Sequence, residues 1–186
     1  QSRSSAASDV YKRQIHSNFR GLKHVIKLPL KNGTEFDWVV ADPCKLLAET
    51  VNANVYLQGL LQHAISGEPL SVILGFDEFI PGNKLAYDQS RKTMVISFSF
   101  REFGRPALTC RRCWVTAGVL RSTTISKVRG GFSSALRLFL DLLLFGETGL
   151  ATVGVPVRLC GTAHLLFGRL SNLLYDGDGL KQALDW

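Results

Sequence analysis

Cysteine is scarce in this chain. Cys44, Cys110, Cys113 and Cys160 are the only four in 186 residues. Four thiols at uneven spacing do not make a disulfide scaffold, and no secretory signal is visible. A reduced, intracellular protein is therefore expected. Long apolar runs are missing too. The longest, Leu136 to Phe145, is broken by Arg137 and Asp141 and is too short to span a bilayer, so no membrane partner is expected. There is no Walker loop, GxSxG, HExxH or dinucleotide fingerprint, which removes the commonest nucleotide-binding, serine-hydrolase and zinc-protease readings. Internal repeats are absent as well.

The first fourteen residues stand apart. The run from Ser4 to Gln14 resembles the in-frame translation of a transposase adapter used to build sequencing libraries. Residues 1–14 are read as a non-native, adapter-derived tail and excluded from the fold. Natural sequence is then expected to start near Ile15 with its true beginning missing. The stop at Trp186, just after an apparent helix start, makes a truncated chain the expectation. Without Arg3, Lys12, Arg13 and Asp9, 19 of the 22 basic and 14 of the 15 acidic residues remain, a balance of +5. Such a mild excess suits a nucleic-acid partner and equally suits none. The apolar content is that of a globular protein.

Residues 15–69 read as an N-terminal hairpin and helix. Val25–Leu28 and Phe36–Val40 flank Lys31-Asn32-Gly33, and Asn-Gly is a strong turn signal. Asp42-Pro43 opens a helix, with Asp42 as cap and Pro43 in the first turn. Leu46, Leu47, Val51, Asn54, Val55, Gln58, Leu61 and Ile65 keep helical spacing, which predicts one helix up to the stop at Ser66-Gly67.

Residues 70–186 carry the candidate chemistry. Leu70 to Phe79 reads as a strand buried on both faces that ends in Asp77 and Glu78. Burying an unpaired carboxylate is costly, and a metal ion is a common remedy. The alternative is a strand that simply reaches solvent at Asp77. Thr93–Phe100 and Cys113–Leu120 read as two further strands with short, meander-like connections. Ser133 caps a predicted helix whose buried face is Leu136, Phe139, Leu140, Leu143 and Leu144. Val155–Leu159 is a short extended piece, and His164 to Tyr175 runs as a strand into Asp176-Gly177-Asp178-Gly179. The expected fold is α/β (α+β): an RNase H-like mixed sheet of three antiparallel strands, then a helical crossover to a parallel strand. That order brings Asp77 to the same end of the sheet as Asp176 and Asp178.

Carboxylates at neighbouring strand ends can share Mg²⁺ or Mn²⁺, and two such ions about 4 Å apart suit phosphodiester cleavage. Asp176-Gly177-Asp178-Gly179 also reads as an ordinary glycine-rich turn. Arg91, Lys92, Arg121, Lys127 and Arg129 gather near predicted strand ends, with Trp114 and Phe132 nearby, and are candidates for a phosphate backbone or for plain solvated charge. Cys110-Arg111-Arg112-Cys113 is a CxxC. With Cys160 and His164 it has the spacing of a zinc site, but Cys113 on a strand and Cys110 in a loop is the plainer reading.

Taken in order, the strand Val72–Phe79 with Gly82-Asn83, the strand Thr93–Phe100, the helix Ser133–Leu144 and the stretch Leu165 to Asp176 resemble the core of DDE/D transposases of the CACTA and Plavaka type. The GFDEF-PGN and L-DGDG motifs also resemble uncharacterised, high-copy proteins of unicellular algae. The transposase resemblance implies catalytic acids at Asp77 and Asp176, metal held by Asp77, Asp176 and Asp178, DNA as partner and a nuclear location. It places a third acid beyond Trp186. The chain is thus expected to be a catalytically incomplete piece of a nuclease and strand-transferase, or else a non-enzymatic domesticated scaffold that binds nucleic acid or protein.

Overall fold

The structure, a computed structural model, describes residues 21–79 and 92–174. The expected hairpin is present as β1 (Lys23–Pro29) and β2 (Glu35–Ala41), paired antiparallel with Pro29 opposite Glu35. Its turn follows from side-chain chemistry. Asn32 Oδ1 accepts from Thr34 N at 3.1 Å and from Thr34 Oγ1 at 2.8 Å, and Gly33 takes φ +86°, where a side chain would be strained.

The single helix expected from Pro43 to Ile65 is two helices. The first, α1 (Pro43–Asn52), starts as expected, with Asp42 Oδ1 accepting from Cys44 N and Lys45 N, each at 3.1 Å. Asn54 then restarts the chain in an extended conformation and caps α2 (Val55–Ala64) through Tyr56 N at 3.0 Å and Leu57 N at 3.3 Å. Gln58 Nε2 reaches back to the carbonyls of Val51 and Asn52 at the end of α1, the first of which also accepts from Asn54 N at 3.1 Å. Asn54 and Gln58 are therefore capping residues, and Val55, expected on the buried face, is 78% exposed.

The main sheet has four strands in the order β5 (Val115–Arg121), β4 (Thr93–Phe100), β3 (Leu70–Phe79) and β8 (Gly168–Leu174). Strand β3 runs antiparallel to β4, which runs antiparallel to β5. A three-residue 3-10 turn (Arg101–Phe103), the short helix α3 (Gly104–Leu108) and a second 3-10 turn (Arg111–Cys113) link β4 to β5. Cys113, expected on the strand, therefore lies in the turn before it. After β5 come α4 (Ser122–Ile125) and the crossover helix α5 (Gly131–Phe145). Gly130 at φ +79°, not Ser133, caps α5, and Ser133 Oγ donates back to Gly130 O at 3.0 Å.

The final strand also divides. One strand was expected from His164 to Tyr175. Instead β7 (Thr162–Leu166) folds back on β6 (Val155–Leu159) as a separate hairpin, and β8 (Gly168–Leu174) joins the main sheet beside β3. The division falls at Gly168. Its N–H donates to Leu150 O at 2.8 Å, and a Cβ there would lie 3.1 Å from Val72 Cγ2, a tight approach that glycine avoids. Strand β8 is parallel to β3, from Leu70 opposite Gly168 to Gly75 opposite Leu174. Three antiparallel strands and a helical crossover to a parallel fourth are thus the observed mixed α/β arrangement.

One face of this sheet is the core. Val72, Leu74 and Phe76 of β3 and Met94, Ile96 and Phe98 of β4 are buried. The Phe76 ring lies 5.3 Å from Phe132 of α5, and Phe139 of α5 lies 6.2 Å from Trp38 of β2. Trp38 Nε1 donates to Val119 O at 2.9 Å, which ties the hairpin to β5. Hairpin, α1 and sheet contribute to one buried cluster. Cys44 in that cluster has its thiol pushed up to about 12, first by burial and then by Asp42. No helix among the described residues is long and apolar enough to cross a membrane.

Candidate functional site

Alternation along β3 decides what each of its acids can do. Even-numbered residues point into the core, so odd-numbered ones point to the opposite, partly open face. Asp77 lies on that open face near the carboxyl end of β3 and is exposed. It makes no hydrogen bond or ion pair among the described residues. The burial that would have demanded a metal is absent, and the strand reaches solvent at Asp77.

Glu78 points the other way and is held. Its Oε1 accepts from Ser122 Oγ at 2.5 Å and its Oε2 from Lys92 Nζ at 3.2 Å, with the two charged side chains under a third exposed. This carboxylate fastens the end of β3 to the start of β4 and to α4. Sequence reasoning passed over that role. The signal was the alternation itself, which places Glu78 on the same face as the buried Phe76. Glu78→Ala is expected to lower stability by about 1–3 kcal/mol, because it removes the acceptor of the Ser122 hydroxyl and the ion pair with Lys92. Asp77→Ala is expected to stay within about 0.5 kcal/mol. Urea denaturation of the two variants checks the contrast, and equal losses would contradict it.

The open face holds a groove of about 740 Å³ whose lining includes Asp77, Phe79, Ser97, Arg111, Trp114 and Thr116. Its form depends on Gly75. A Cβ there would come 3.2 Å from Trp114 Cζ3, so glycine lets the indole lie across the strand. Trp114 Nε1 donates to Leu108 O at 3.0 Å, and Ser99 Oγ donates to Cys113 O at 2.7 Å, fixing the β4–β5 connection above the sheet. Glu102 accepts from Ser71 N at 2.9 Å and clamps the same connection to β3. On the groove floor the Ser97 and Thr116 hydroxyls are 2.8 Å apart.

The other predicted residues are dispersed. Lys92 engages Glu78. Arg121 is exposed and opposite Thr93 at the end of β5. Lys127 and Arg129 are exposed on either side of buried Val128, which bridges to Leu30 beside the β1–β2 turn. Arg91, Asp176 and Asp178 lie outside the described residues. Among the described residues no three His, Cys, Asp or Glu side chains form a group able to hold a metal. Cys110, Cys113, Cys160 and His164 are therefore not brought together as zinc ligands. The Cys160 thiol instead meets Gln62 Oε1 at 3.2 Å.

No protein-family model matches the chain, and no curated protein matches it either.

Proposed function

We propose that the chain belongs to an RNase H-like, metal-dependent DNA nuclease and strand-transferase of transposable-element origin. The observation that carries this reading is the exposed Asp77 near the carboxyl end of a central strand whose parallel neighbour is β8. Ligand sites in α/β sheets collect at such ends. Leu174 pairs with Gly75. In the sequence, Asp77 follows Gly75 by two residues, and Asp176 follows Leu174 by two.

The donor chemistry fits a hard cation in part. Asp77 offers carboxylate oxygens that no described side chain occupies, whereas both oxygens of Glu78 are engaged. Asp77, Asp176 and Asp178 would hold Mg²⁺ or Mn²⁺, which supplies an activated water and offsets charge on a scissile phosphate. The groove residues would position the strand. Arg111 offers a cation to a phosphate, and Trp114 and Phe79 offer apolar rings for bases to stack on.

The same rings and cations favour a second reading, a non-enzymatic scaffold that binds nucleic acid on the open face. One experiment separates the two. Mn²⁺ titration of the chain, followed by calorimetry or electron paramagnetic resonance, is expected to show weak binding. Asp77→Asn or Asp176→Asn should lower that affinity about tenfold or more, a change of about 1.4 kcal/mol, with thermal stability unchanged. Mn²⁺ affinity identical in wild type and both variants would overturn the nuclease reading. Salt-dependent binding of a DNA oligonucleotide, insensitive to Asp77→Asn but weakened by Trp114→Ala, would then favour the scaffold.

A further inference from the structure

The Cys110–Cys113 pair sits in the connection that forms one wall of the groove, and neither reading above uses it. Cys110 immediately precedes the 3-10 turn Arg111–Cys113, and Cys113 N donates to Cys110 O at 3.0 Å. Such a closed turn keeps its first and last Cα atoms within about 7 Å. A disulfide spans about 4.4–6.8 Å between Cα atoms, so the bond can form here with little backbone movement. The turn thus sets the two cysteines side by side, the first and last residues of one closed loop. Burial, and then this neighbour, hold the Cys113 thiol above its ordinary value. Exposure gives the two sulfurs different roles. Cys110 is partly exposed and Cys113 is buried. Arg111 and Arg112, between them and both exposed, offer positive charge to an anionic reagent.

We infer that Cys110 and Cys113 are a reversible redox pair that closes into an intramolecular disulfide by exchange with a small disulfide of the glutathione class. Cys110, as thiolate, attacks one sulfur of the oxidised reagent. A Cys110–glutathione bond forms, and one glutathione leaves as thiolate. Cys113 then gives its proton to solvent and attacks the Cys110 sulfur. The Cys110–Cys113 bond forms and the second glutathione leaves. Two protein thiols are oxidised, one small disulfide is reduced to two thiols, and the released protons balance the charge. The other cysteines lack this arrangement. Cys44 is buried with its thiol donating to Leu143 O at 3.3 Å, and Cys160 sits against Gln62. Trp114 follows Cys113 directly, so the closed bond would stiffen the segment that holds the indole over Gly75. The device does not depend on what the groove binds.

The test uses the whole chain equilibrated in glutathione buffers stepped from fully reduced to fully oxidised. Free thiols are trapped with an alkylating agent, and the protein is denatured, digested with trypsin and analysed by mass spectrometry. Trypsin cuts after Arg111 and Arg112, so free thiols part into separate peptides, while a disulfide keeps them joined until reduction. The expected result is a joined pair that rises in one transition, with Cys44 unmodified and Cys160 carrying glutathione. Cys113→Ser should convert the Cys110 product into a stable glutathione adduct. The inference is overturned if wild-type Cys110 and Cys113 stay as thiols at every ratio, or if Cys110 retains glutathione while Cys113 remains free.

Discussion

Val51→Asp is expected to cost about 3–5 kcal/mol and to leave much of the chain unfolded, the scale of an uncompensated buried charge. Val51 is only 1% exposed, on α1, which packs chiefly against β6 and β5. A folded domain is stable by about 5–15 kcal/mol in total, so a loss of this size is decisive. The sign of the pH dependence distinguishes charge from shape. Burial raises the folded-state pKa of the new carboxyl above its unfolded value. Below the unfolded value the acid is neutral in both states, and only the lost packing is felt. As pH rises through the window between the two values, the unfolded chain ionises first and stability falls. The defect should therefore be smaller at pH 4 than at pH 7, whereas Val51→Asn should show no such trend. Val55→Asp is the control. Val55 lies four positions further on but past the helix break and is 78% exposed, so its replacement should cost less than about 0.5 kcal/mol. Chemical denaturation at the two pH values measures all three. Equal melting of Val51→Asp and wild type would show that this face is misassigned.

Phe139→Ala is expected to cost about 3–5 kcal/mol, the range for removing a fully buried ring that leaves a cavity. Phe139 has no exposed surface and lies on α5 against Trp38. The crossover is what sets β8 parallel to β3, and this ring anchors the crossover to the core. Arg137→Ala, on the exposed side of the same helix, should be near neutral. Urea denaturation that gives Phe139→Ala and Arg137→Ala the same midpoint would mean that α5 is not seated on this face. A large loss for Phe139→Ala with an unchanged urea dependence would support a cooperative unit in which hairpin, crossover and sheet unfold together.

Local chemistry was legible where a short stretch settles its own conformation. Asn32-Gly33 forms its turn and Asp42-Pro43 starts its helix, because the groups that decide lie within three residues of each other. Strand β4 was legible end to end, and the topology of the main sheet followed from the order of elements, since a right-handed crossover leaves the fourth strand few other places. The misreadings have two causes, one local and one distant. Helical spacing carried the reading through Asn52-Ala53-Asn54, although the Asn54 side chain competes for the backbone N–H groups of Tyr56 and Leu57 and stops one helix to begin another. The apolar run after His164 hid a break at Gly168, where the chain comes close to Val72 and donates to Leu150 O, both outside the run.

At the candidate site the division is sharper. That two acids end a buried strand is plain in Asp77-Glu78. Which of them is free is a property of the sheet, because only pairing to β4 and β8 and packing on α5 assign one face to the core. Glu78 then meets Ser122 and Lys92 and Asp77 does not. The groove was illegible for the same reason. It needs Gly75 to leave room, Leu108 to hold the Trp114 indole and Cys113 to accept from Ser99, and each of these contacts joins separate elements of the chain. Sequence periodicity can say which residues alternate, but the packed partner decides which side is inside.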